Sequence, residues 1–344
     1  MKKKTKSLII LLTLLTALII TQTGCSKKEN SVSKEGYYLD TVCNITIYDM
    51  EGMSEKKAEE VIDGAYEVCS KYENLLSKTR KASDIYKINH AEGQAVTCDP
   101  KTIEVIKKGI EYGDLSDGLF DITIGKVTDL WNFHTDKPAV PKQEVIDEVL
   151  PDVGYKQIVI DGNTVRMENP KGEIDLGGIA KGYIADRVTD YLVDQKVTSA
   201  VVNLGGNICA IGYKDAEDKT DFNIGIKKPY TKENEIVGTI GVNNKTVVTS
   251  GSYERYFEQD GKRYFHILDP KTGFPKETGL DSVTIVGGLG RSCDCDALAT
   301  ICFMKGAEEG KKFIDSQKGY GALFIDTDGK ITESKNMKGF KVAN

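Results

Sequence analysis

The amino-acid sequence predicts an α+β protein in which mixed, largely antiparallel sheets are flanked by helices. Helical and strand-like segments follow one another in mixed blocks, without the repeating strand–helix–strand order of a parallel sheet. Compact turn signals, such as Asp-Gly-Asn at residues 161–163, join neighbouring strand segments into hairpins. The 344-residue chain shows no internal linker and no repeat in the range of about 20 to 50 residues.

The first part of the chain predicts one strand and two long helices. Residues 37–49 alternate apolar and polar side chains, which is typical of a strand. A helix is expected to begin after Ser54, a good N-cap residue, and to continue with apolar residues at helical spacing. A second helix is expected over residues 99–118, with Asp99 as N-cap and Pro100 at its first position.

The second part of the chain predicts further helices among many short strands. The segment EIDLGGIAKGYIAD, residues 173–186, predicts a short strand that ends in two glycines and turns directly into a helix over 178–194. Most segments between residues 199 and 288 are strand-like. Residues 295–317 predict two consecutive helices, and residues 320–334 predict a closing hairpin.

The first 24 residues are typical of a signal peptide. Lysines precede an apolar run of 13 residues, Leu8 to Ile20, which is shorter than the ~20 residues that a transmembrane helix needs. Thr23 and Gly24 then precede Cys25, and this order resembles a bacterial lipoprotein signal in which Cys25 is lipidated. A plain secretion signal cut nearby is the alternative, because glutamine stands at position 22, where such signals usually carry leucine.

We therefore expect residues 1–24 to be a lipoprotein signal peptide, residues 25–36 a lipidated N-terminus with a flexible tether, and residues 37–344 the folded domain. A lipid at Cys25 would anchor this domain to the cell membrane on its extracytoplasmic side. Loss of the leader would remove four lysines and change the net charge from −6 to −10. So acidic a body argues against nonspecific binding of nucleic acid.

The cysteines and histidines favour neither a disulfide framework nor a zinc site. Besides Cys25 there are seven cysteines, an odd number without regular spacing. Cys293 and Cys295 lie close together in the chain, but no second pair accompanies them. The histidines are too few and too scattered for zinc: His90, His134 and His266. We expect most of the cysteines to be buried free thiols.

The turn at residues 175–181 has features of an anion-binding site. Glycines at a strand-to-helix turn allow a ligand to approach the backbone, and a helix N-terminus favours negative charge. The Gly177–Gly178 pair nevertheless matches neither the dinucleotide fingerprint nor the phosphate-loop motif. Taken singly, Asp175 is explained as well by a helix cap, and Lys181 by a solvated surface lysine.

Asp296 and Thr300 are spaced i, i+4 and therefore share one helical face. A carboxylate and a hydroxyl with little sulfur or imidazole nearby suit a hard cation such as Mg²⁺, which usually completes its coordination with water and substrate phosphates. In the alternative interpretation, Asp296 caps the helix and Thr300 bonds back to a carbonyl oxygen.

Several motifs, taken in order, resemble the FAD:protein FMN transferase (ApbE-type) family over essentially all of residues 37–344. The motifs are SDI-KIN (83–89), GLFDITIG (118–125), DLGGIAKGY (175–183), NLGGNI (203–208), TSG-YERYF (249–257), H-LDP-TG (266–273) and DALAT (296–300). The resemblance implies a single large domain of two intertwined lobes. It also implies a Mg²⁺-dependent enzyme that transfers the FMN half of FAD to a Thr or Ser hydroxyl of a target protein and releases AMP.

The same resemblance implies which residues contact FAD. Lys181 would provide a positive charge beside the flavin pyrophosphate, and Asp175 would bond to uncharged parts of FAD. The complete implied set is Leu39, Thr79, Leu119, Phe120, Asp121, Asp175, Lys181 and Leu268.

The resemblance further implies a metal site and a proton acceptor. Mg²⁺ would be held by the Gly178 carbonyl, Asp296 and Thr300, with the Ala299 carbonyl as a further ligand. The proton of the acceptor hydroxyl would pass to His266 or to an aspartate near the metal, for which Asp296 is the candidate.

The chain departs from the family pattern where the flavin or adenine ring would lie. Residues 39–41 are Leu-Asp-Thr where the family usually shows Met-Gly-Thr, and Thr79 replaces a common tyrosine. Lys126 stands where a proline usually follows the DITIG segment. Ring stacking must then be supplied differently, for which Phe120 is the candidate, while the phosphate and metal residues are intact.

Other functions fit the same sequence. With water as acceptor the protein would be an FAD pyrophosphatase that yields FMN and AMP, and without chemistry it would be a flavin-binding lipoprotein. A solute-binding lipoprotein with two α/β lobes would leave the pair Asp296 and Thr300 without a role. For the transferase, we expect the acceptors to be exported redox proteins with a short Ser/Thr motif.

Overall fold

The computed structural model describes residues 31–48, 52–133, 135–231 and 235–343. The predicted signal peptide and Cys25 lie outside these ranges. The helices described are α1 (Glu55–Leu76), α2 (Asp84–Asn89), α3 (Pro100–Leu115), α4 (Gly125–Trp131), α5 (Gln143–Val149), α6 (Ala180–Asp194) and α7 (Ser292–Ser316). Within this part of the chain, no helix is both long enough and apolar enough to cross a membrane.

The strands fall into one large sheet and three small ones. In chain order they are β1 (Val32–Tyr38), β2 (Thr41–Ile47), β3 (Val96–Thr97), β4 (Ile158–Asp161), β5 (Thr164–Met167), β6 (Ala200–Leu204), β7 (Asn207–Ile211), β8 (Phe222–Lys227), β9 (Ile236–Val242), β10 (Lys245–Gly251), β11 (Tyr256–Gln259), β12 (Lys262–Phe265), β13 (Leu280–Gly288), β14 (Gly321–Asp326), β15 (Ile331–Glu333) and β16 (Phe340–Val342).

The eight-stranded sheet has the order β1-β2-β6-β7-β10-β13-β14-β15, and every neighbouring pair in it is antiparallel. The small sheets, β16-β9-β8, β3-β5-β4 and β11-β12, are antiparallel too. Helices and antiparallel sheets therefore form one large domain, and the predicted α+β class is confirmed.

The main hydrophobic core lies between the large sheet and helices α1, α6 and α7. A second cluster joins the large sheet to the three-stranded sheet β16-β9-β8 through residues such as Val247, Ile224 and Ile240. A third, smaller cluster surrounds Trp131, whose indole N–H donates to the Gly273 carbonyl oxygen at 2.9 Å. Because the sheets and helices enclose continuous apolar volume, the parts of the molecule that border the site are held firmly in place.

The helix boundaries follow the capping signals. The Ser54 hydroxyl accepts the Lys57 N–H, and the Asp99 carboxylate accepts the Lys101 N–H with Pro100 at the first helical position. Helix α7 contains a break at Gly306, where φ is 76°, so the two predicted consecutive helices are present on either side of it. These predictions are confirmed.

The N-terminal prediction was wrong in its boundaries. Strand β1 begins at Val32, so residues 32–36 belong to the large sheet and not to a flexible tether. Residues 37–49 are not one strand, because a turn at Leu39 and Asp40 separates β1 from β2. These two residues have φ values of 56° and 55°, as a two-residue type I′ hairpin loop requires. Because leucine rarely adopts a positive φ, the sequence Leu39-Asp40 did not indicate a turn.

The segment before α6 is extended but forms only an isolated parallel bridge, between Ile124 and Glu173. The Asp175 N–H donates to the Ile122 carbonyl oxygen at 2.7 Å, which fixes this segment beside the loop that precedes α4. Helix α6 begins at Ala180, two residues later than predicted. The Gly177–Gly178 turn is therefore not part of the helix.

All cysteines in the described ranges are free and buried: Cys43, Cys69, Cys98, Cys209, Cys293, Cys295 and Cys302. Burial raises the pKa of several of these thiols, to about 11 for Cys43 and about 12 for Cys98. The expectation of buried free thiols is confirmed, and high thiol pKa values make these cysteines poor nucleophiles.

Candidate active site

A cleft of about 860 Å³ brings the predicted site residues together. Its walls are the turn before α6, the first half of α7, and parts of β7, β8 and β10. The predicted residues that line it are Leu39, Thr79, Leu119, Phe120, Asp121, Asp175, Gly178, Lys181, His266, Leu268, Asp296 and Thr300. Ala299 is fully buried and does not line the cleft. Residues that are far apart in sequence thus share one concave surface.

The glycine turn permits a close approach between the start of α6 and Phe120. A Cβ atom at Gly178 would lie 3.0 Å from Phe120 Cε2, tighter than ordinary van der Waals contact. The Asp175 carboxylate accepts the Gly177 N–H at 2.8 Å. Since this bond lies before the helix, and Ile179 is the N-cap residue, the interpretation of Asp175 as the cap of α6 is wrong.

Asp296 lies in the second turn of α7 and does not cap it, because the helix begins at Ser292. Its Oδ2 atom instead accepts the backbone N–H of Gly182, in the first turn of α6, at 2.8 Å. Burial raises the pKa of the Asp296 carboxyl, while Lys181, the Gly182 N–H and the Asn207 amide act in the opposite direction. A buried carboxylate is thereby held at the N-terminus of a neighbouring helix.

A second bond of the same kind runs in the opposite direction. The Asp186 carboxylate of α6 accepts the N–H groups of Ser292 and Cys293, at 2.8 and 2.9 Å, at the start of α7. Each helix therefore provides the carboxylate that accepts N-terminal N–H groups of the other. This pairing fixes Asp296 relative to the first turn of α6.

The Thr300 hydroxyl is held only by long contacts. It lies 3.5 Å from the Asp296 carbonyl oxygen and 3.4 Å from the Ser250 hydroxyl. Thr300 does face back toward a carbonyl, as the alternative interpretation required, but the distance is at the limit of a hydrogen bond. Its oxygen therefore remains available to another ligand in the cleft.

Lys181, in the first turn of α6, is the cation whose charge acts on the Asp296 carboxyl group. Among the residues that the structure describes, it forms no ion pair within salt-bridge distance. Burial raises the pKa of both Asp296 and Glu254, and the Lys181 charge opposes this increase. Glu254 is enclosed by cleft walls yet open to the solvent within the cleft. This partial burial raises the Glu254 pKa, as does the Asp296 charge. A lysine that forms no direct ion pair and lies beside a helix N-terminus suits an anionic ligand.

Lys78 is a residue of the cleft that the sequence did not signal. Its ammonium group lies 3.2 Å from Asp175, 2.5 Å from Asp129 and 3.7 Å from Glu173. Burial lowers the pKa of Lys78, but the Asp175 and Asp129 carboxylates outweigh it and raise the pKa above its ordinary value. Lys78 therefore orients Asp175 and offsets three negative charges at this end of the cleft.

Both oxygens of Asp121 are already hydrogen-bonded within the protein. Oδ1 accepts the N–H and hydroxyl of Thr123, at 2.8 and 2.6 Å, and Oδ2 accepts the Tyr155 N–H at 3.0 Å. Burial raises the Asp121 pKa, and these bonds counteract it. The side chain holds the loop that presents Leu119 and Phe120 to the cleft.

His266 and Leu268 follow β12 and line the cleft. The backbone N–H of His266 donates to the Arg255 carbonyl oxygen at 3.1 Å. Leu268 is almost fully buried and packs in the cluster around Trp131. The H-LDP-TG motif is therefore anchored by its apolar residues, and its histidine lines the cleft.

The oxygen atoms around Asp296 fit a hard cation. Within the described ranges, no cluster of three or more His, Cys, Asp or Glu residues could hold a metal, which excludes a closed site of the zinc type there. Magnesium needs only one or two carboxylates when substrate phosphates complete its coordination. The Asp296 carboxylate, the Thr300 hydroxyl and the Gly178 turn border the same cleft and fit this requirement.

Two residues of the site were missed for different reasons. Lys78 lies just beyond the end of α1, where nothing distinguishes it from a surface lysine. Gly182 had a signal, because glycine in the first turns of a helix costs stability without a packing reason. That reason is α7: a Cβ atom at Gly182 would lie 2.2 Å from the Ser292 carbonyl oxygen.

A protein-family model and several known proteins match this chain. A model of the ApbE family matches residues 39–324. An FAD:protein FMN transferase of Klebsiella pneumoniae (strain 342) is 37% identical over 283 residues, which is 81% of this chain and 86% of that protein. An FAD:protein FMN transferase of Treponema pallidum (strain Nichols) is 33% identical over 328 residues, 91% of this chain and 90% of that protein.

Solved structures show the same fold. The ApbE protein of Thermotoga maritima superposes with a TM-score of 0.79 at 32% identity, covering 89% of this chain and 97% of that chain. The flavin transferase ApbE of Vibrio cholerae also gives a TM-score of 0.79, at 29% identity, covering 90% of this chain and 99% of that chain. The residues matched by the ApbE family model, 39–324, include all those that line the cleft.

Proposed function

Because the chain belongs to the ApbE family, we propose that it is an FAD:protein FMN transferase that requires Mg²⁺ and acts on exported redox proteins. The observation that carries this proposal is the convergence of Lys181 and Asp296 at the first turn of α6. A cation and a metal-binding carboxylate side by side suit a pyrophosphate, and FAD is named in the descriptions of the two transferases to which this chain is similar.

The residues of the cleft would bind the two ends of FAD differently. Lys181 and the N-terminus of α6 would attract the pyrophosphate, while Lys78 keeps Asp175 oriented toward uncharged atoms of FAD. Phe120 and Leu119 would provide the apolar surface for a flavin or adenine ring. The Leu39 turn and Thr79, where the family usually has other residues, lie on the cleft rim.

Asp296 and Thr300 would hold Mg²⁺ in the cleft, together with the carbonyl oxygen of Gly178, whereas Ala299, predicted as a further ligand, does not line the cleft. The bound ion would neutralise charge on the pyrophosphate and make AMP a better leaving group. The acceptor hydroxyl oxygen would form a bond to the FMN phosphorus while the bond from that phosphorus to the AMP oxygen breaks. His266 would accept the hydroxyl proton.

The transfer reaction is tested by mass measurement. Purified protein is incubated with FAD, MgCl₂ and exported proteins of the same cell, and intact acceptors are weighed before and after the reaction. The proposal predicts an acceptor that gains the mass of FMN and an equal amount of released AMP, both abolished by a chelator. Free FMN with unmodified acceptors would instead identify an FAD pyrophosphatase. Bound but uncleaved FAD would identify a flavin-binding protein.

The position at the membrane is a separate proposal. We infer from the leader that Cys25 carries a lipid and that the enzyme acts on the extracytoplasmic side of the cell membrane. A labelled fatty acid should be incorporated into the wild-type protein, and Cys25→Ala should abolish incorporation. A Cys25→Ala protein that is labelled as strongly as wild type would overturn the anchor.

A further inference from the structure

We propose that the free edge of strand β8 binds the acceptor protein by accepting an extended Ser/Thr-containing segment as an additional antiparallel or parallel strand. The inference rests on the proposed transferase function, because it concerns how the acceptor hydroxyl reaches the cleft. Edge strands with unpaired backbone groups are templates for such pairing.

Strand β9, in the centre of the three-stranded sheet, turns alternate backbone groups toward β16. The Gly241 N–H donates to the Gly339 carbonyl oxygen at 3.1 Å, and the Ala343 N–H donates to the Val237 carbonyl oxygen at 3.0 Å. Backbone groups alternate in direction along a strand of an antiparallel sheet. The β9 residues between these, such as Ile240, therefore face β8.

Ile224 and Ile226 of β8 pair with β9 residues that face them, Ile240 and Gly238. Their N–H and C=O groups consequently point into the sheet. Asn223 and Gly225 alternate with them, so that their N–H and C=O groups point outward. No residue in the described parts of the chain hydrogen-bonds to these outward groups.

The outer edge of β8 is accessible and reaches the reaction site. Asn223, Gly225 and Lys227 are exposed, and because glycine has no side chain, exposure of Gly225 is exposure of the backbone itself. The last four residues of the strand, 224–227, line the cleft that contains Lys181 and Asp296. A strand added beside β8 would run about 5 Å away and would lead directly into that cleft.

The other sheet edges do not have this property. Among the strands described, the other edge strands contribute no residue to the cleft: β1, β3, β4, β11, β12, β15 and β16. An acceptor strand paired with any of them would leave its hydroxyl away from Lys181 and Asp296. Of the described edges, β8 thus combines unpaired backbone groups with proximity to the site.

A proline substitution tests the edge directly. Gly225→Pro removes the outward N–H, and proline is tolerated on an edge strand where the N–H faces solvent. The control is Val342→Pro, which places proline at an outward-facing position on the opposite edge of the same sheet, away from the cleft. We expect Gly225→Pro to raise the KM for the acceptor about tenfold relative to Val342→Pro. Equal acceptor KM values for the two variants would overturn the proposal.

A peptide scan keeps the proposal testable if Gly225→Pro does not fold. The probe is a ten-residue peptide around the hydroxyl that the mass assay shows to carry FMN, with one backbone nitrogen methylated at a time. Pairing with β8 predicts that transfer is lost at every second position and retained at those between. If the unmethylated peptide is flavinylated but methylation shows no alternation, the β8 edge is not the docking site. If wild-type protein modifies no acceptor, the transferase function itself fails.

Discussion

The backbone N–H of Gly182 donates to Oδ2 of Asp296 at 2.8 Å and joins the start of α6 to the second turn of α7. The Asp186 carboxylate returns this contact by accepting two N–H groups at the start of α7. The two helices can approach this closely only because residue 182 has no side chain. Lys181 and Asp296 are therefore held on two closely packed helices that both line the cleft.

Removal of the Asp296 charge should abolish transfer without unfolding the protein. Asn at position 296 can still accept the Gly182 N–H, but it is a weaker ligand for Mg²⁺. We expect Asp296→Asn to lower kcat/KM for FMN transfer at least about 100-fold, equivalent to about 3 kcal/mol of transition-state stabilisation. Asp190→Asn, on the exposed side of α6, is the control. Activity of Asp296→Asn within tenfold of wild type, with the same Mg²⁺ dependence, would contradict the assignment.

A methyl group at position 182 should separate α6 from α7. The added Cβ would lie 2.2 Å from the Ser292 carbonyl oxygen and 2.8 Å from Cys293 Cα, and backbone atoms cannot move aside cheaply. We expect Gly182→Ala to lower the free energy of unfolding by about 3 kcal/mol. Guanidinium titrations measure the loss. Gly288→Ala is the control, because its nearest neighbour would be Arg291 Cγ at 3.9 Å.

Asp186 should make stability depend on pH. Burial raises the pKa of this carboxyl from 3.8 to about 6, although the N–H groups of Ser292 and Cys293 counteract part of the effect. Because the folded-state pKa is higher than the unfolded one, the stabilisation is complete below about pH 4 and is lost as pH rises through about 6. The loss should reach up to about 3 kcal/mol.

Unfolding titrations at pH 4.5 and 7.5 measure this effect. The free energy of unfolding of wild type, relative to that of Asp186→Asn, should be lower at pH 7.5 than at pH 4.5. The Asp186→Asn variant is the reference, because asparagine has no carboxyl group that could titrate. A difference between wild type and variant that stays constant with pH would show that Asp186 does not titrate in this range.

Loss of the Lys78 charge should weaken the grip on FAD. Lys78→Met leaves Asp175, Asp129 and Glu173 without their shared cation, so Asp175 loses its fixed orientation. We expect the affinity for FAD, measured by flavin fluorescence, to fall about tenfold, or about 1.4 kcal/mol. Lys101→Met removes an exposed ion pair with Glu104 outside the cleft and serves as control. Equal FAD affinities for the two variants would show that Lys78 has no role in binding.

The sequence predicted the parts of this molecule that depend on local chemistry. Ser54 and Asp99 mark helix starts because their side chains accept nearby backbone N–H groups. The α+β class follows from the order of segments, and the cleft residues follow from family motifs. None of these features requires knowledge of distant contacts.

The features that the sequence did not reveal depend on tertiary contacts. Strand β1 exists because β2 pairs with it over its full length, which outweighs the polar composition of residues 32–36. Asp296 was interpreted alternatively as a cap of its own helix, whereas it accepts an N–H from α6. Lys78 acquires its role only when α1 ends beside Asp175. For Asp296 and Lys78 the partner lies far away in the sequence, whereas β2 follows β1 directly after a two-residue loop.

A crystal structure of the protein with FAD and MgCl₂ tests the assignment of the cleft. We predict that the FAD pyrophosphate lies beside the first turn of α6, within hydrogen-bond distance of the Lys181 ammonium, with a metal ion bound to Asp296 and Thr300. A pyrophosphate located elsewhere, or a metal bound without Asp296, would contradict it.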